Sequence, residues 1–298
     1  MISLVPHRVP ALLLLIASGL GACVAPTEKA APGSHLAEAE GAPVHYLDSG
    51  GSDEEGLVLI HGWAGSTAAW KDQFPAWSEL GRTLVIDLPG HGASEPPPNG
   101  YSFASFADAV VAVMDDAGLR RGVLVGHSNG APVVLQVHHR HPERVAGLVS
   151  IDGALKGLFS REQAEPLFAP FRGPQWQTAM RGLVEGMAAA MDADDRDAVV
   201  DMALATRQEA VIGGMDAIFG PDAWHEGPID VPLLLVLAEQ PTWSPDYEAW
   251  VRTIAPHVDY RVWSGVTHYL QMERPEALRD AMADFLAANA LLGSSPER

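Results

Sequence analysis

The chain contains very little cysteine, since Cys23 is the one cysteine among its 298 residues. A disulfide needs two cysteines, so none can form within the part of the chain that follows residue 23. Hydrophobic residues make up 47% of the sequence, which excludes a largely disordered protein. The length and this composition predict one sizeable domain with an insertion.

Basic residues are also scarce. Lysine and arginine number 19 against 38 aspartates and glutamates, which gives a formal net charge of -19. Bare nucleic acid and anionic lipid would both repel such a chain, so neither is an expected partner by charge alone. An acidic surface that keeps the protein in solution explains the charge balance.

No apolar run near the N-terminus is long enough for a membrane-spanning helix. A basic start at His7 and Arg8 precedes a short apolar run over residues 11–17, and this pattern predicts a secretory signal. Residues 20–23 read Leu-Gly-Ala-Cys and resemble the lipobox of bacterial lipoproteins. That resemblance implies a lipid on Cys23, whereas the alternative is an ordinary signal peptide with a chance cysteine. Val24 is not acidic, and the resemblance then implies export across the inner membrane and anchoring at the periplasmic face of the outer membrane.

Alternation of strand and helix signals organises the remainder. Residues 24–40 are rich in alanine, proline and charge and are interpreted as a tether. Residues 41–152 and 229–298 alternate continuous apolar strands with helices, which predicts a mostly parallel sheet covered on both faces. The strands are expected at 44–47, 57–60, 83–86, 123–125, 145–151, 232–237 and 260–263, and the helices at 66–80, 103–117, 131–139 and 276–290.

Residues 153–228 contain no convincing strand pattern. Helical spacing is evident over 178–191 and 196–212, so this segment is predicted to form a helical cap. A cap inserted between strands of such a sheet would cover the carboxyl ends of the strands, where ligands bind.

A serine lies between two glycines where a buried strand stops. Gly126-His127-Ser128-Asn129-Gly130 follows an apolar strand and precedes a helix, which is the pattern of a nucleophile elbow. The sharp turn demands small neighbours, and Gly126 and Gly130 meet that demand. Ser128 is therefore the candidate nucleophile, placed at a helix N-terminus where backbone amides stabilise negative charge.

A serine nucleophile needs a general base and an oxyanion hole. Of the twelve histidines, His268 lies in the loop between the last strand and the last helix, where the chain order serine, acid, histidine places the base. His138, His139 and His141 cluster at a helix end, where they suit the helix dipole. Candidate oxyanion donors are the backbone amides of Trp63 and Asn129, and the Trp63 side chain is expected to line the pocket. No metal site is predicted.

Four motifs jointly resemble the α/β-hydrolase superfamily over residues 41–292. They are HGW at 61–63, DLPGHGAS at 87–94, GHSNG at 126–130 and THYLQMERPE at 267–276. The resemblance implies the α/β-hydrolase fold with a nucleophilic serine and leaves the substrate open. It also implies that Asp87 and His91 are structural, because the loop at 87–94 shapes the site in that family.

The carboxylate that orients the catalytic histidine in the superfamily does not stand at its commoner position in this chain. Relatives often carry an aspartate shortly after the penultimate strand, but Pro241 stands there in this chain. Glu239 and Asp246 are nearby alternatives, and Asp246 can be read as a helix cap. Another branch places the acid after the preceding strand, where this chain has Asp152. We therefore expect Asp152 to orient His268, although Asp152 can also be read as a hinge residue of the cap.

These residues predict a serine hydrolase that cleaves an ester or related acyl bond of a small molecule, with no cofactor. Lactones, thioesters and carbon–carbon bonds suit the same residues, as does a perhydrolase reaction. A non-catalytic binding protein that keeps the fold is the alternative from another class. Epoxide hydrolases and haloalkane dehalogenases of the superfamily use aspartate where Ser128 stands, so their chemistry is disfavoured.

Overall fold

An eight-stranded sheet forms the centre of the molecule, in the order β1-β2-β4-β3-β5-β6-β7-β8. The computed structural model describes residues 33–221, 223–225 and 227–293. Neighbouring strands from β4 to β8 run parallel, whereas β1 and β2 form an antiparallel hairpin on one edge. The strands are β1 (Gly33–Ala39), β2 (Ala42–Asp48), β3 (Glu55–Ile60), β4 (Thr83–Ile86), β5 (Arg121–His127), β6 (Val145–Ile151), β7 (Leu233–Ala238) and β8 (Asp259–Trp263).

Helices cover both faces of the sheet and the carboxyl ends of its strands. They are α1 (Gln73–Trp77), α2 (Phe103–Asp116), α3 (Gly130–Arg140), α4 (Arg161–Phe168), α5 (Trp176–Met187), α6 (Ala193–Ala205), α7 (Gln208–Ala217), α8 (Pro245–Ile254), α9 (Leu270–Glu273) and α10 (Pro275–Ala288). The expected architecture, a mostly parallel sheet flanked by helices, is confirmed.

Alternation along the central strands divides the core into two layers. In β3, Val58 and Ile60 pack into one cluster, and Leu57 and Leu59 pack into the other on the opposite face. All four side chains are fully buried. Successive strand residues point to opposite faces, so a strand that is apolar at every position requires cover on both sides.

The stretch interpreted as a tether is a strand over its last residues. Gly33–Ala39 form β1 and pair in antiparallel register with β2, and Ala37 is buried against the core. The two-residue turn at Glu40 and Gly41 has positive φ at both positions, 52° and 88°, which suits a tight hairpin. That turn was not recognised in the sequence. Residues 33–39 therefore belong to the domain, which was expected to begin at residue 41.

The prediction of one helix over residues 66–80 is also wrong. The chain forms a 3-10 turn at Thr67–Trp70 and then the short helix α1. Pro75 lacks an N–H group and its ring clashes with the preceding turn, so it does not fit inside a long helix. Restarting the helix at Gln73 leaves Pro75 in the first turn, and both Trp70 and Trp77 remain buried.

Four α-helices, α4 to α7, lie between β6 and β7, in the segment interpreted as a cap. The single helix expected over 196–212 is instead α6 and α7, because Thr206 adopts an extended backbone between them. Its buried hydroxyl donates to the carbonyl oxygen of Ala64 at 3.2 Å. Trp63 likewise donates from its indole Nε1 to the carbonyl oxygen of Val211 at 2.8 Å. Two hydrogen bonds thus attach the cap to the loop after β3.

The predicted signal, Cys23 and the first residues of the tether lie outside the described residues. Among the residues that are described, no helix combines the length and the apolar character needed to span a bilayer.

Candidate active site

Ser128 sits on a sharp turn between β5 and α3. Its φ of 52° is in the left-handed region, which is strained for a residue with a side chain. A Cβ atom at Gly126 would lie 2.3 Å from the backbone of Gly130, and one at Gly130 would lie 2.5 Å from the carbonyl oxygen of Ile60. Glycine is therefore required at both positions. The crossing of strand and helix holds the serine hydroxyl at the carboxyl end of β5.

A chain of hydrogen bonds joins Ser128, His268 and Asp152. The His268 Nε2 atom lies 2.8 Å from the Ser128 Oγ atom, and its Nδ1 atom lies 2.7 Å from the Asp152 Oδ2 atom. An ionised carboxylate only accepts hydrogen bonds, so Nδ1 carries the ring proton and Nε2 accepts from the serine hydroxyl. Sequence reasoning expected these three residues together, although Ser128 and His268 are 140 positions apart.

Asp152 follows directly after β6 and is almost completely enclosed, with 1% of its side chain exposed. Its Oδ1 atom accepts from the backbone N–H of Ala238 and from the indole N–H of Trp243, both at 2.9 Å. These donors leave Oδ2 directed at His268. Glu239 and Asp246 are exposed, and the hydrogen bond from His268 goes to Asp152.

Trp63 and Asn129 lie beside the serine as expected. A Cβ atom at Gly62 would be 2.8 Å from the Ser128 Cβ atom, which shows how closely the loop after β3 approaches the elbow. Among the described residues, neither the Trp63 nor the Asn129 backbone N–H donates a backbone hydrogen bond. Both residues line the same cavity as Ser128.

A cavity of about 310 Å³ lies between this site and the cap. Ser128, Asp152 and His268 are in its wall, together with Trp63 and Asn129. The remaining lining is mostly apolar and includes Leu158, Phe159, Leu167, Phe168, Leu183, Met187, Met202, Met215, Ile218, Trp224, Trp243 and Tyr269. The cap thus supplies the walls, and the carboxyl ends of the strands supply the polar floor.

Two residues that contact His268 or Asp152 were not assigned a role from the sequence. The His127 Nε2 atom lies 2.8 Å from the carbonyl oxygen of His268, and the two rings are 4.8 Å apart. Burial lowers the pKa of His127 to about 3, so the ring is neutral and donates this hydrogen bond. Trp243, which binds Asp152, is the other. His127 lies inside the serine motif, but nothing in the local sequence marks Trp243.

The loop at 87–94 is held by Asp87. Its carboxylate accepts from the backbone N–H groups of Thr67 and Ala93 and contacts His45 Nδ1 at 2.7 Å. These contacts agree with the structural role expected for Asp87. His91 is also buried, and burial lowers its pKa to about 3.

The histidines at the end of α3 make separate contacts. His138 lies 3.3 Å from Asp230, His139 stacks on His225 of the segment after α7, and His141 lies near Asp108. No group of three or more potential metal ligands occurs in the part of the chain that is described.

Comparison with known proteins identifies the fold family of the chain. Residues 56–209 match the family model of the alpha/beta hydrolase fold. The acetyltransferase component of the acetoin cleaving system of Pseudomonas putida is 33% identical over 41% of this chain and 33% of its own length. Epoxide hydrolase B of Mycobacterium tuberculosis is 27% identical over 64% of this chain and 59% of its own length. The chain thus spans a third to three fifths of these relatives.

Solved structures match over more of the chain. Est816, described as an N-acyl homoserine lactone degrading enzyme, is 26% identical with a TM-score of 0.70, and the match covers 84% of this chain and all of that one. A thermophilic esterase from Thermogutta terrifontis is 22% identical with a TM-score of 0.75, covering 86% and 98% of the two chains, which shows a shared fold. With the family model matching more than half of its residues, this chain belongs to the alpha/beta hydrolase fold family.

Proposed function

We propose that this protein is a serine hydrolase that cleaves an ester or a related acyl bond of a small molecule. The observation that carries the proposal is the hydrogen-bonded chain from Ser128 through His268 to Asp152 on the floor of an apolar cavity. The family and its esterase, lactonase and epoxide hydrolase relatives support a hydrolytic role. Epoxide hydrolases of the superfamily use an aspartate as nucleophile, and the serine at position 128 favours acyl transfer instead.

The chemistry follows from the donors and acceptors in place. His268 Nε2 removes the proton from the Ser128 hydroxyl as its oxygen attacks the acyl carbon. The amides of Trp63 and Asn129 stabilise the oxyanion, and the Asp152 carboxylate stabilises the imidazolium that forms. The imidazolium then gives its proton to the leaving group. Water, activated by the same histidine, releases the acid from Ser128.

The test is hydrolysis of chromogenic esters by the full chain and by three variants. Ser128→Ala should lose activity by several orders of magnitude, and Asp152→Asn should lose on the order of 10³-fold or more in kcat. Asp246→Asn is the matched control, because Asp246 is exposed in the first turn of α8. Its activity should equal that of the wild type.

Labelling by a fluorophosphonate provides a second measurement, because this reagent reacts with activated serines. Wild-type protein should be labelled at Ser128. A folded wild type that neither hydrolyses any ester nor accepts the label would contradict the proposal and favour a non-catalytic binding protein.

We also propose that the protein is exported and lipid-anchored through Cys23. The signal pattern and the Leu-Gly-Ala-Cys sequence support this proposal. Metabolic labelling with a fatty acid should mark the wild type and not Cys23→Ser. Equal labelling of both would reject attachment at this cysteine.

A further inference from the structure

An apolar rim is exposed at the mouth of the cavity. Leu158 and Phe159, in the loop after β6, are 39% and 46% exposed, and Leu167 on α4 is 50% exposed. We call these three residues the apolar rim. All three also line the cavity that contains Ser128. The two other large hydrophobic side chains that are exposed in the described part of the chain, Leu36 and Val262, lie on edge strands and not in this wall.

Single exposed hydrophobic residues are ordinary, but a continuous apolar surface that leads into a cavity marks a binding surface. The rim is supported from behind. The Phe159 ring lies 6.5 Å from the Phe219 ring, and the Arg161 guanidinium lies 5.0 Å above Phe219. Arg161 is in turn paired with Asp216 at 2.7 Å. These contacts support Phe159, although this residue is 46% exposed.

The lining of the cavity indicates what kind of molecule covers the rim. None of the lining residues is a lysine or an arginine, so a carboxylate or phosphate on the bound group would find no cationic partner. Three methionines, Met187, Met202 and Met215, are in the wall. Methionine side chains are flexible and adapt to ligands of different shapes. The lining therefore suits an uncharged aliphatic group.

We infer that the substrate carries a long, uncharged aliphatic acyl chain that fills the cavity and continues outward over the apolar rim. This inference rests on the proposed hydrolase function and names its substrate class. The cavity, at about 310 Å³, is near the lower end of small-molecule sites, so a long chain extends beyond it. The methylenes nearest the ester lie against the cap, and the distal ones cover Leu158, Phe159 and Leu167.

A membrane or a micelle surface is the competing occupant of the rim. The net charge of -19 opposes docking on an anionic bilayer. The rim residues and Ser128 line the same cavity, so a single acyl chain can contact both. We therefore assign the rim to the acyl chain and let the experiment distinguish the two occupants.

The test measures kcat/KM of the full chain for p-nitrophenyl acetate, butyrate, octanoate and dodecanoate below the concentration at which each ester aggregates, and then repeats the rate measurement above it. With the wild type, kcat/KM should rise with chain length, by up to about four-fold for each methylene that leaves water. The double variant Phe159→Ser/Leu167→Ser removes most of the rim. Its kcat/KM for the dodecanoate should fall about ten-fold or more, and the value for the butyrate, whose chain is too short to reach the rim, should fall much less.

Leu36→Ser is the matched control, because Leu36 is 61% exposed on β1 and does not line the cavity. Its chain-length profile should equal that of the wild type. Retained activity on the butyrate shows that the rim variant is folded. If that variant does not fold, the wild-type profile decides, and a maximum at the butyrate overturns the inference.

Other outcomes separate this inference from the proposed function. Hydrolysis that depends on Ser128 but shows no preference for long chains leaves the hydrolase and overturns the acyl assignment. A gain that appears only above the aggregation concentration, and is lost in the rim variant, also overturns it and assigns the rim to a lipid surface. Absence of any hydrolysis and of serine labelling removes the proposed function, and the acyl assignment is overturned with it.

Discussion

Replacing Trp243 with phenylalanine tests whether this side chain positions the acid. The Trp243 indole N–H donates to Asp152 Oδ1 at 2.9 Å, and phenylalanine keeps an aromatic ring but loses this donor. A hydrogen bond to a charged group contributes about 1.5 to 3 kcal/mol. Because the Ala238 N–H still binds the same oxygen, we expect the lower end of that range. In the transition state Asp152 stabilises the positive charge on His268, so kcat should fall about ten-fold with KM nearly unchanged.

Steady-state kinetics on a short-chain ester measure this split between kcat and KM. Trp250→Phe is the matched control, since its ring lies 5.8 Å from the Tyr247 ring on α8 and does not line the cavity. That variant should keep the wild-type kcat. A Trp243→Phe protein with wild-type kcat and a raised KM would refute the reasoning, because Trp243 would then serve as a cavity wall without positioning Asp152.

Three further predictions concern stability. Gly92→Ala should lower the free energy of unfolding by about 2 kcal/mol or more in urea titration, because φ is 51° and a Cβ atom would meet the buried Asp87 carboxyl group at 2.2 Å. Its control is Gly182→Ala in α5, where the space is open, and this variant should raise the free energy of unfolding by up to about 1 kcal/mol. Equal effects of the two substitutions would contradict the prediction. Asp48→Ala should lower the free energy of unfolding by about 3 to 5 kcal/mol, since it leaves the buried Arg82 guanidinium without its carboxylate, and a loss below 1 kcal/mol would be inconsistent with that pair. Burial lowers the pKa of His91 to about 3 from an ordinary value of about 6.5. The contribution of neutral His91 to the free energy of unfolding is therefore fully present above about pH 6.5 and is lost as the pH falls toward 3. His91→Phe should flatten the decrease of stability between about pH 6.5 and 4, and an unchanged slope would count against this prediction.

The local sequence predicted those parts of the site that depend on a few neighbouring residues. The glycines on either side of Ser128 predicted the elbow because only glycine fits where β5 and α3 cross. The position of His268 between the last strand and the last long helix predicted its return to the serine. Apolar strands with helical segments between them predicted a sheet that is covered on both faces. Each of these inferences uses a rule of backbone geometry or chain order.

The ends of the domain and the shorter helices required tertiary contacts. Alanine-rich residues 33–39 form a strand because β2 offers its edge for pairing, and no local preference reveals this. The cap helix breaks at Thr206 because a buried hydroxyl binds the loop after β3. Such interactions join residues that are distant in the chain, and they override local helix propensity.

The sequence by itself predicted the candidate nucleophile Ser128 and the succession of strands and helices along the chain, because both follow from side-chain size and hydrophobic pattern along short stretches. The sequence favoured Asp152 but left Glu239 and Asp246 open as partners of His268. The tertiary structure shows the contact with Asp152, which depends on how the ends of β6, β7 and β8 lie side by side. The same holds for Trp243 beside Asp152 and for the apolar rim around the cavity. A hydrogen bond or a shared wall depends on distance in space, and sequence separation does not specify that distance.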